Sequence, residues 1–401
     1  MADDVATIDS ERPVIVWFRD DLRLADNPAL NAAASSGRKI ICIFLHDEES
    51  AGVRPLGGAA RWWLHGALRE LDTELRRRGG QLLIHRGAAA TAIPRLAASC
   101  KAAAVYWNRR YGAAERRIDE GVKTALKAQG TEAQSFNGHL LYEPWSMKTK
   151  AGGPFRVFSA FWRAAHDAGE PDQPLPAPSQ LDLFNGSFDR EPMAIELSKL
   201  ALEPSSPDWA GGLRSSWRRG EAGAHDQLEK FLDEHFGEYA DSRDFPDRSA
   251  TSRLSPYLRF GNICARQVWH AVTAAANASH LSTPHRNLEK FRSELGWREF
   301  SYHLLYYNPD MARQNLQPKF DAMPWRSDDE ALRAWQQGRT GYPIVDAGMR
   351  ELWATGWMHN RVRMVVASFL AKHLLIDWRQ GETWFWNTLV DADPANNTAS
   401  W

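Results

Sequence analysis

The 401-residue chain has almost no cysteine, no surplus of either charge and no long apolar run. Its three cysteines, Cys42, Cys100 and Cys264, are odd in number and far apart. That spacing excludes a disulfide framework and a zinc site, and it suggests a reducing, cytoplasmic compartment. Net charge is −1, so no global basicity announces nucleic acid, although a local basic face stays open. No apolar stretch approaches the ~20 residues of a membrane span. The opening residues MADDVATIDSERP are acidic and polar, unlike a signal peptide. The dinucleotide fingerprint G-x-G-x-x-G is missing after the first apolar run, which leads instead into Arg19-Asp20-Asp21-Leu22-Arg23. No internal repeat is visible, and nothing points to a metal. The 43% apolar and 25% charged content is that of a soluble globular protein long enough for two domains.

What the chain does have is tryptophan. There are 18, most of them after residue 200 and six between residues 341 and 401. Large cores use Leu and Val far more than Trp. Ordinary core packing accounts for most of the 18, and the remainder asks for another role.

The first third alternates short apolar runs with helical patterns. Val14–Phe18, Ile40–Leu45, Leu82–Ile84 and Ala103–Trp107 read as buried strands. Between them, Asp26-Asn27-Pro28 offers a helix cap followed by proline at the first helical position. Ala59–Arg78 closes on Gly79-Gly80, and Ala88–Ser99 and Ala113–Gln129 complete the helices. This alternation predicts an α/β domain with a parallel sheet and helices on both faces. Residues 169–207 then carry seven prolines (171, 174, 176, 178, 192, 204, 207), the composition of a surface connection. From about Gly211 the pattern is helix after helix: Ala224–Phe236, a start near Pro256–Arg259, Leu288–Tyr307, Asp328–Gln337 and Val345–Thr355.

Polar residues cluster in this second half. Thr251-Ser252-Arg253-Leu254-Ser255-Pro256 sets hydroxyls and an arginine ahead of a helix, suited either to a phosphate or to simple capping. Glu294, Trp297 and Arg298 fall on one helical face, giving either recognition of a planar base or a surface i,i+4 ion pair. Met358-His359-Asn360-Arg361 opens a helix whose Val362, Val365, Val366, Phe369 and Leu370 recur at helical spacing. Asn360, Arg361 and Arg363 stand at its start, where free N–H groups favour anions. Asp391-Ala392-Asp393 and Asn396-Asn397-Thr398 add carboxylates and amides beside tryptophan. Such polarity is costly if buried without partners. A large polar ligand with a flat ring is one reading; a helix pair with ordinary caps is the other.

Six ordered segments, WFRDDLRLADNPAL, TSRLSPYLRFGN, ELGWREF, GYPIVDAGMRELWATGWMHNRVRM, LLIDWRQGE and DADPANNTASW, resemble the photolyase/cryptochrome family over nearly the whole chain. The resemblance implies a Rossmann-like antenna domain over residues 12–140, a connector over 141–210 and an all-α FAD-binding domain over 211–401. It implies that Tyr239, Thr251, Ser252, Arg253, Leu254 and Ser255 contact the phosphate side of a bent FAD. Asn360 and Arg363 match residues beside the isoalloxazine, Asp391, Ala392 and Asp393 the acidic turn on flavin and ribose, and Asn397 the position facing N5. An amide at Asn397 supports repair over signalling. Trp401, Trp378 and Trp325 match an electron-transfer triad running from flavin to surface. Glu294, Trp297, Asn360 and Met364 match the pocket for a cyclobutane pyrimidine dimer flipped out of UV-damaged DNA, and Arg243 and Arg361 the backbone contacts. The histidine typical of (6-4) enzymes is replaced by Asn360 and Met364. The implied activity is light-driven dimer splitting by reduced FAD, in a monomer; a cryptochrome-type blue-light receptor is the alternative. Asn108-Arg109-Arg110-Tyr111, Leu141-Tyr142-Glu143-Pro144-Trp145 and Gly153-Pro154-Phe155 look most like the bacterial class III branch. That branch suggests methenyltetrahydrofolate as antenna, with a deazaflavin, a second flavin or none left open. The family normally continues past the position of Trp401, so an incomplete pocket wall and weaker FAD retention are expected.

Overall fold

A computed structural model describes residues 12–186, 194–278 and 284–401. The opening stretch to residue 11 and Pro192 of the connector lie outside the described residues.

Five strands, β1 (Val14–Phe18), β2 (Ile40–His46), β3 (Leu82–Arg86), β4 (Ala104–Asn108) and β5 (Glu132–Phe136), form one parallel sheet in the order β3-β2-β1-β4-β5. β1, β2 and β4 are buried along their whole length, as a parallel sheet covered on both faces requires. Period-2 alternation divides their side chains. Val14, Val16 and Phe18 join Ile40, Cys42 and Phe44 on one face, against α2 (Gly58–Arg77). Ile15, Trp17, Ile41 and Ile43 meet α3 (Ala89–Ser99) and α4 (Ala113–Ala128) on the other. The first helix, α1 (Pro28–Ser35), begins as its sequence predicts. Asn27 accepts the Leu30 N–H at 3.1 Å and proline follows. Strand β5 has no counterpart in the sequence reading. Glu132, Gln134 and Ser135 leave this edge strand too polar to register as an apolar run.

Among its described residues the connector carries α5 (Phe158–Asp167) and little other regular structure. Among the described residues eleven more helices follow: α6 (Gly211–Ser216), α7 (Glu221–Glu234), α8 (Tyr239–Ser242), α9 (Ser255–Arg259), α10 (Ala265–Ala278), α11 (Pro284–Tyr307), α12 (Asp329–Gln336), α13 (Pro343–Thr355), α14 (Asn360–Ser368), α15 (Trp378–Thr388) and α16 (Asn396–Ala399). A π turn, Phe369–His373, extends α14.

The sheet and the helices share a core. Trp63 of α2 is fully buried against Trp217, Tyr257 and Phe260 and donates its indole N–H to Asn262 at 3.0 Å. Removing such a ring costs about 3–5 kcal/mol. The segment after β1 docks into the same junction. Leu24 and Ala25 donate their N–H groups to Glu221, and Leu22 donates to the Phe260 carbonyl. Gly261 has φ of +61°, and a Cβ there would lie 2.1 Å from the Asp20 carbonyl oxygen. Only glycine permits that approach. Among the described residues no helix is long and apolar enough to cross a membrane, and no group of His, Cys, Asp or Glu is arranged to hold a metal.

Candidate functional site

The larger cavity, about 650 Å³, lies among α8, α9, α11, α14 and the segment from Leu389 to Trp401. That size is within the ~300–1,000 Å³ typical of small-molecule and cofactor sites. Leu254, Leu258, Leu295, Phe385 and Leu389 supply apolar wall, and a ring of polar groups faces them.

The carboxylate wall is held from three directions. Asp391 is buried; it accepts from the Ser255 hydroxyl at 2.6 Å and from both terminal nitrogens of Arg363 at 3.2 and 2.8 Å. Asp393 caps α16 by accepting the N–H groups of Ala395 and Asn396 at 2.9 and 2.7 Å. Its other oxygen accepts the Tyr302 hydroxyl at 2.6 Å. Tyr302 in turn lies 2.9 Å from His139 Nε2, which Arg298 approaches at 2.7 Å. Burial and then Arg298 hold His139 well below its ordinary pKa, so the ring accepts as a neutral base. Burial pushes the neighbouring Glu299 up to about 7, against Arg298 and the N–H groups of Leu141 and Tyr142.

Asn397 lines the cavity with its NH₂ donated to Glu382, at 2.8 Å to Oε1 and 3.2 Å to the backbone oxygen. Its carbonyl oxygen is thereby left to the cavity as an acceptor. Glu382 is buried and paired with Arg54 at 2.6 and 2.8 Å, in a fork that reaches across from the sheet domain.

The mouth holds the remaining predicted residues. Glu294 does not form the i,i+4 pair with Arg298; it is paired with Arg243 of the α8 end, while Arg298 turns inward to Glu299. Arg243 also donates to the Tyr239 hydroxyl at 3.1 Å. Burial works against its charge, yet Tyr239, Glu294 and Asp244 leave its pKa raised. Burial raises the Tyr239 phenol pKa, with Arg243 opposing it and Glu294 and Asp244 adding to it. Trp297 stacks on Phe158 of the connector, centroids 3.8 Å apart and planes 10° apart, yet remains 47% exposed. Asn360, Arg361 and Met364 line the same mouth.

Three residues expected at the cofactor do not line the cavity. Thr251 stays outside it. Arg253, at φ +51°, sits between the rings of Trp217 and Trp357, 4.4 and 4.9 Å from their centroids. Ala392 offers its carbonyl to Arg259 at 2.8 Å. Of the three tryptophans expected to form a relay, Trp401 lines the cavity and Trp378 and Trp325 do not. Trp401 packs on Phe385 at 5.1 Å and over Gly381, where a Cβ would come within 2.2 Å of its ring. Trp378 is one helical turn before Gly381, with its indole N–H donated to Asn315 at 2.8 Å. Trp325 adjoins Arg326, whose N–H bonds the Leu375 carbonyl at 2.7 Å. Arg54, Glu382, His139 and Tyr302 were missed by sequence reasoning.

A second cavity, about 370 Å³, opens at the ends of β1, β2 and β4, where the strand order reverses. His46, Glu48, Arg54, Arg109 and Arg110 line it, and Arg259 lines both cavities.

Comparison with known proteins agrees with this layout. Residues 14–179 match the DNA photolyase family, and residues 291–401 match the FAD binding domain of DNA photolyase. The chain is 47% identical to a deoxyribodipyrimidine photo-lyase of Agrobacterium fabrum, over 97% of this chain and 79% of that one. It is 37% identical to Cryptochrome-1 of Arabidopsis thaliana, over 96% of this chain and 57% of that one. A crystal structure of a bacterial class III photolyase from Agrobacterium tumefaciens superposes with a TM-score of 0.91 at 46% identity, covering 98% of this chain and 79% of that one. With motif order, fold and these relatives in agreement, the chain belongs to the photolyase/cryptochrome family.

Proposed function

We propose that the protein is a light-driven DNA-repair enzyme, a deoxyribodipyrimidine photo-lyase, that binds FAD in the 650 Å³ cavity and splits cyclobutane pyrimidine dimers. One observation carries the reading. The wall formed by Asp391, Asp393 and Asn397 and the mouth formed by Glu294, Trp297 and Met364 line one continuous cavity. That continuity supports a flat cofactor and a flipped-out pair of bases held side by side. The division into 12–140, 141–210 and 211–401 belongs to the same proposal.

The residues present suit the cofactor. Asn397 lines the cavity with its NH₂ donated to Glu382, so its carbonyl oxygen stays available as an acceptor. Tyr239, Ser252, Leu254 and Ser255 would hold the phosphate side and Asn360, Arg363, Asp391 and Asp393 the ring side. Reduced FAD, when bound, supplies a photo-excitable electron that opens two C–C bonds of the dimer and then returns. The protein's part is orientation and electrostatics. Asn397 can accept from N5–H of the reduced ring without adding negative charge, because its own NH₂ is committed to Glu382. Glu294, held by Arg243, hydrogen-bonds the dimer, Trp297 stacks on it, Met364 packs its apolar edge, and Arg361 meets the DNA backbone. Trp401, Trp378 and Trp325 would offer closely spaced, oxidisable rings for carrying electrons toward the cavity. We also propose methenyltetrahydrofolate as antenna, on the likeness to the class III branch; loading with folate and reading its near-ultraviolet band tests this.

The decisive experiment irradiates dimer-containing oligonucleotide with the reduced flavoprotein and follows recovery of thymine absorbance. Recovery in light and none in the dark supports the enzyme. Flavin photoreduction without recovery replaces it with the photoreceptor reading.

A further inference from the structure

At the cavity mouth one carboxylate oxygen serves two arginines. Asp244 Oδ1 lies 3.0 Å from Arg361 Nε and 3.2 Å from Arg243 Nε. His359 holds the two together: its Nδ1 accepts the Arg361 N–H at 3.1 Å and its Nε2 bonds the Arg243 carbonyl at 3.0 Å. The arginines are otherwise unequal. Arg243 is buried, and its Nη1 is shared between Glu294 and the Tyr239 hydroxyl. Arg361 is 42% exposed by side chain, and Asp244 is its one carboxylate partner among the described residues. Asp244 is itself 44% exposed. An ion pair that open to water is weak and exchangeable.

We propose that Asp244 is a built-in phosphate mimic that masks Arg361 until a DNA backbone phosphate displaces it. The inference rests on the repair reading. The geometry selects the arginine that is released: a phosphate reaching the mouth takes Arg361, while Arg243 keeps Glu294 in place. Asp244 thus lowers affinity for undamaged backbone at the mouth and leaves the lesion-binding side chains assembled. The displaced carboxylate takes up a counterion, which offsets the counterion released by the new phosphate pairing. Each unmasked arginine should steepen the salt dependence of binding by about 0.9 in log–log slope.

The test measures binding of the full chain, in the dark, to duplex oligonucleotides with and without one dimer across a salt series. Wild type, Asp244→Asn, Arg361→Gln and the double variant are compared. Asp244→Asn is expected to bind undamaged duplex roughly 2- to 5-fold tighter at low salt, the size of one exposed ion pair released. Its slope should steepen by up to about 0.9, and both changes should largely vanish in the Arg361→Gln background. Asp244→Ser serves if the asparagine variant folds poorly. Unchanged affinity and slope, or an effect undiminished without Arg361, would overturn the proposal. Wild type showing no preference for the dimer would sink the repair reading instead, a separately visible result.

Discussion

Arg54→Ala tests the longest-range link to the cavity. Arg54 and Glu382 are 328 residues apart in sequence and joined by a two-pronged ion pair at 2.6 and 2.8 Å. The Glu382 side chain is 3% exposed and that of Arg54 36%. Removing the arginine leaves a buried carboxylate with only Asn397 and water that enters from the Arg54 side. Breaking a buried pair typically costs ~3–5 kcal/mol. Water access at the arginine end puts this case at the low end or below, about 2–3 kcal/mol. The Arg54 guanidinium also lies 4.1 Å from the Trp386 ring centroid, and the substitution strips that cation from the indole face. Urea unfolding of wild type, Arg54→Ala, Glu382→Gln and the double variant supplies the assay. Glu382→Gln should cost much less in the Arg54→Ala background than in wild type, giving a coupling of ~1–3 kcal/mol for directly paired residues. A cost for Arg54→Ala below about 0.5 kcal/mol, the range of an ordinary surface change, or additive costs in the double variant, would refute the reasoning.

Other expectations follow from the same geometry. Gly381→Ala places a methyl against the Trp401 ring and should destabilise by about 1–3 kcal/mol, read as a lower urea midpoint; an unchanged midpoint would mean that Trp401 is free to move. Trp378→Phe should slow photoreduction of bound flavin several-fold and leave dimer splitting by chemically reduced protein intact; equal photoreduction removes Trp378 from the relay. Burial raises Glu299 from 4.5 to about 7 in the folded protein, so its contribution is complete below pH 4.5 and is lost as pH rises toward 7. Glu299→Gln should flatten that fall in the urea midpoint, and an identical pH profile would count against it.

The sheet was largely legible because β1 to β4 are buried on both faces and read as apolar runs. Edge strand β5 was not, since it is polar and none of its residues is fully buried. Within the cavity, short motifs carried Ser255, Asn360, Arg363, Asp391 and Asn397 to one place, because each sits at a helix start or a tight turn. Arg253 misled: its left-handed φ turns the side chain into a sandwich between Trp217 and Trp357. Local spacing does not encode that turn. Glu294 lines the mouth, and the competing reading of an i,i+4 pair with Arg298 fails because Arg243 of the α8 end takes that place. Arg54, Glu382, His139 and Tyr302 sit in unremarkable stretches. Their role exists only across pairings that span many residues, where periodicity says nothing.

Emission of the reduced, FAD-loaded protein offers the most direct test of a flavin and a dimer sharing one cavity. Dimer-containing oligonucleotide should quench that emission, undamaged oligonucleotide should not, and Trp297→Ala should weaken the quenching. Equal emission with both oligonucleotides, or failure of the chain to take up FAD at all, would contradict it.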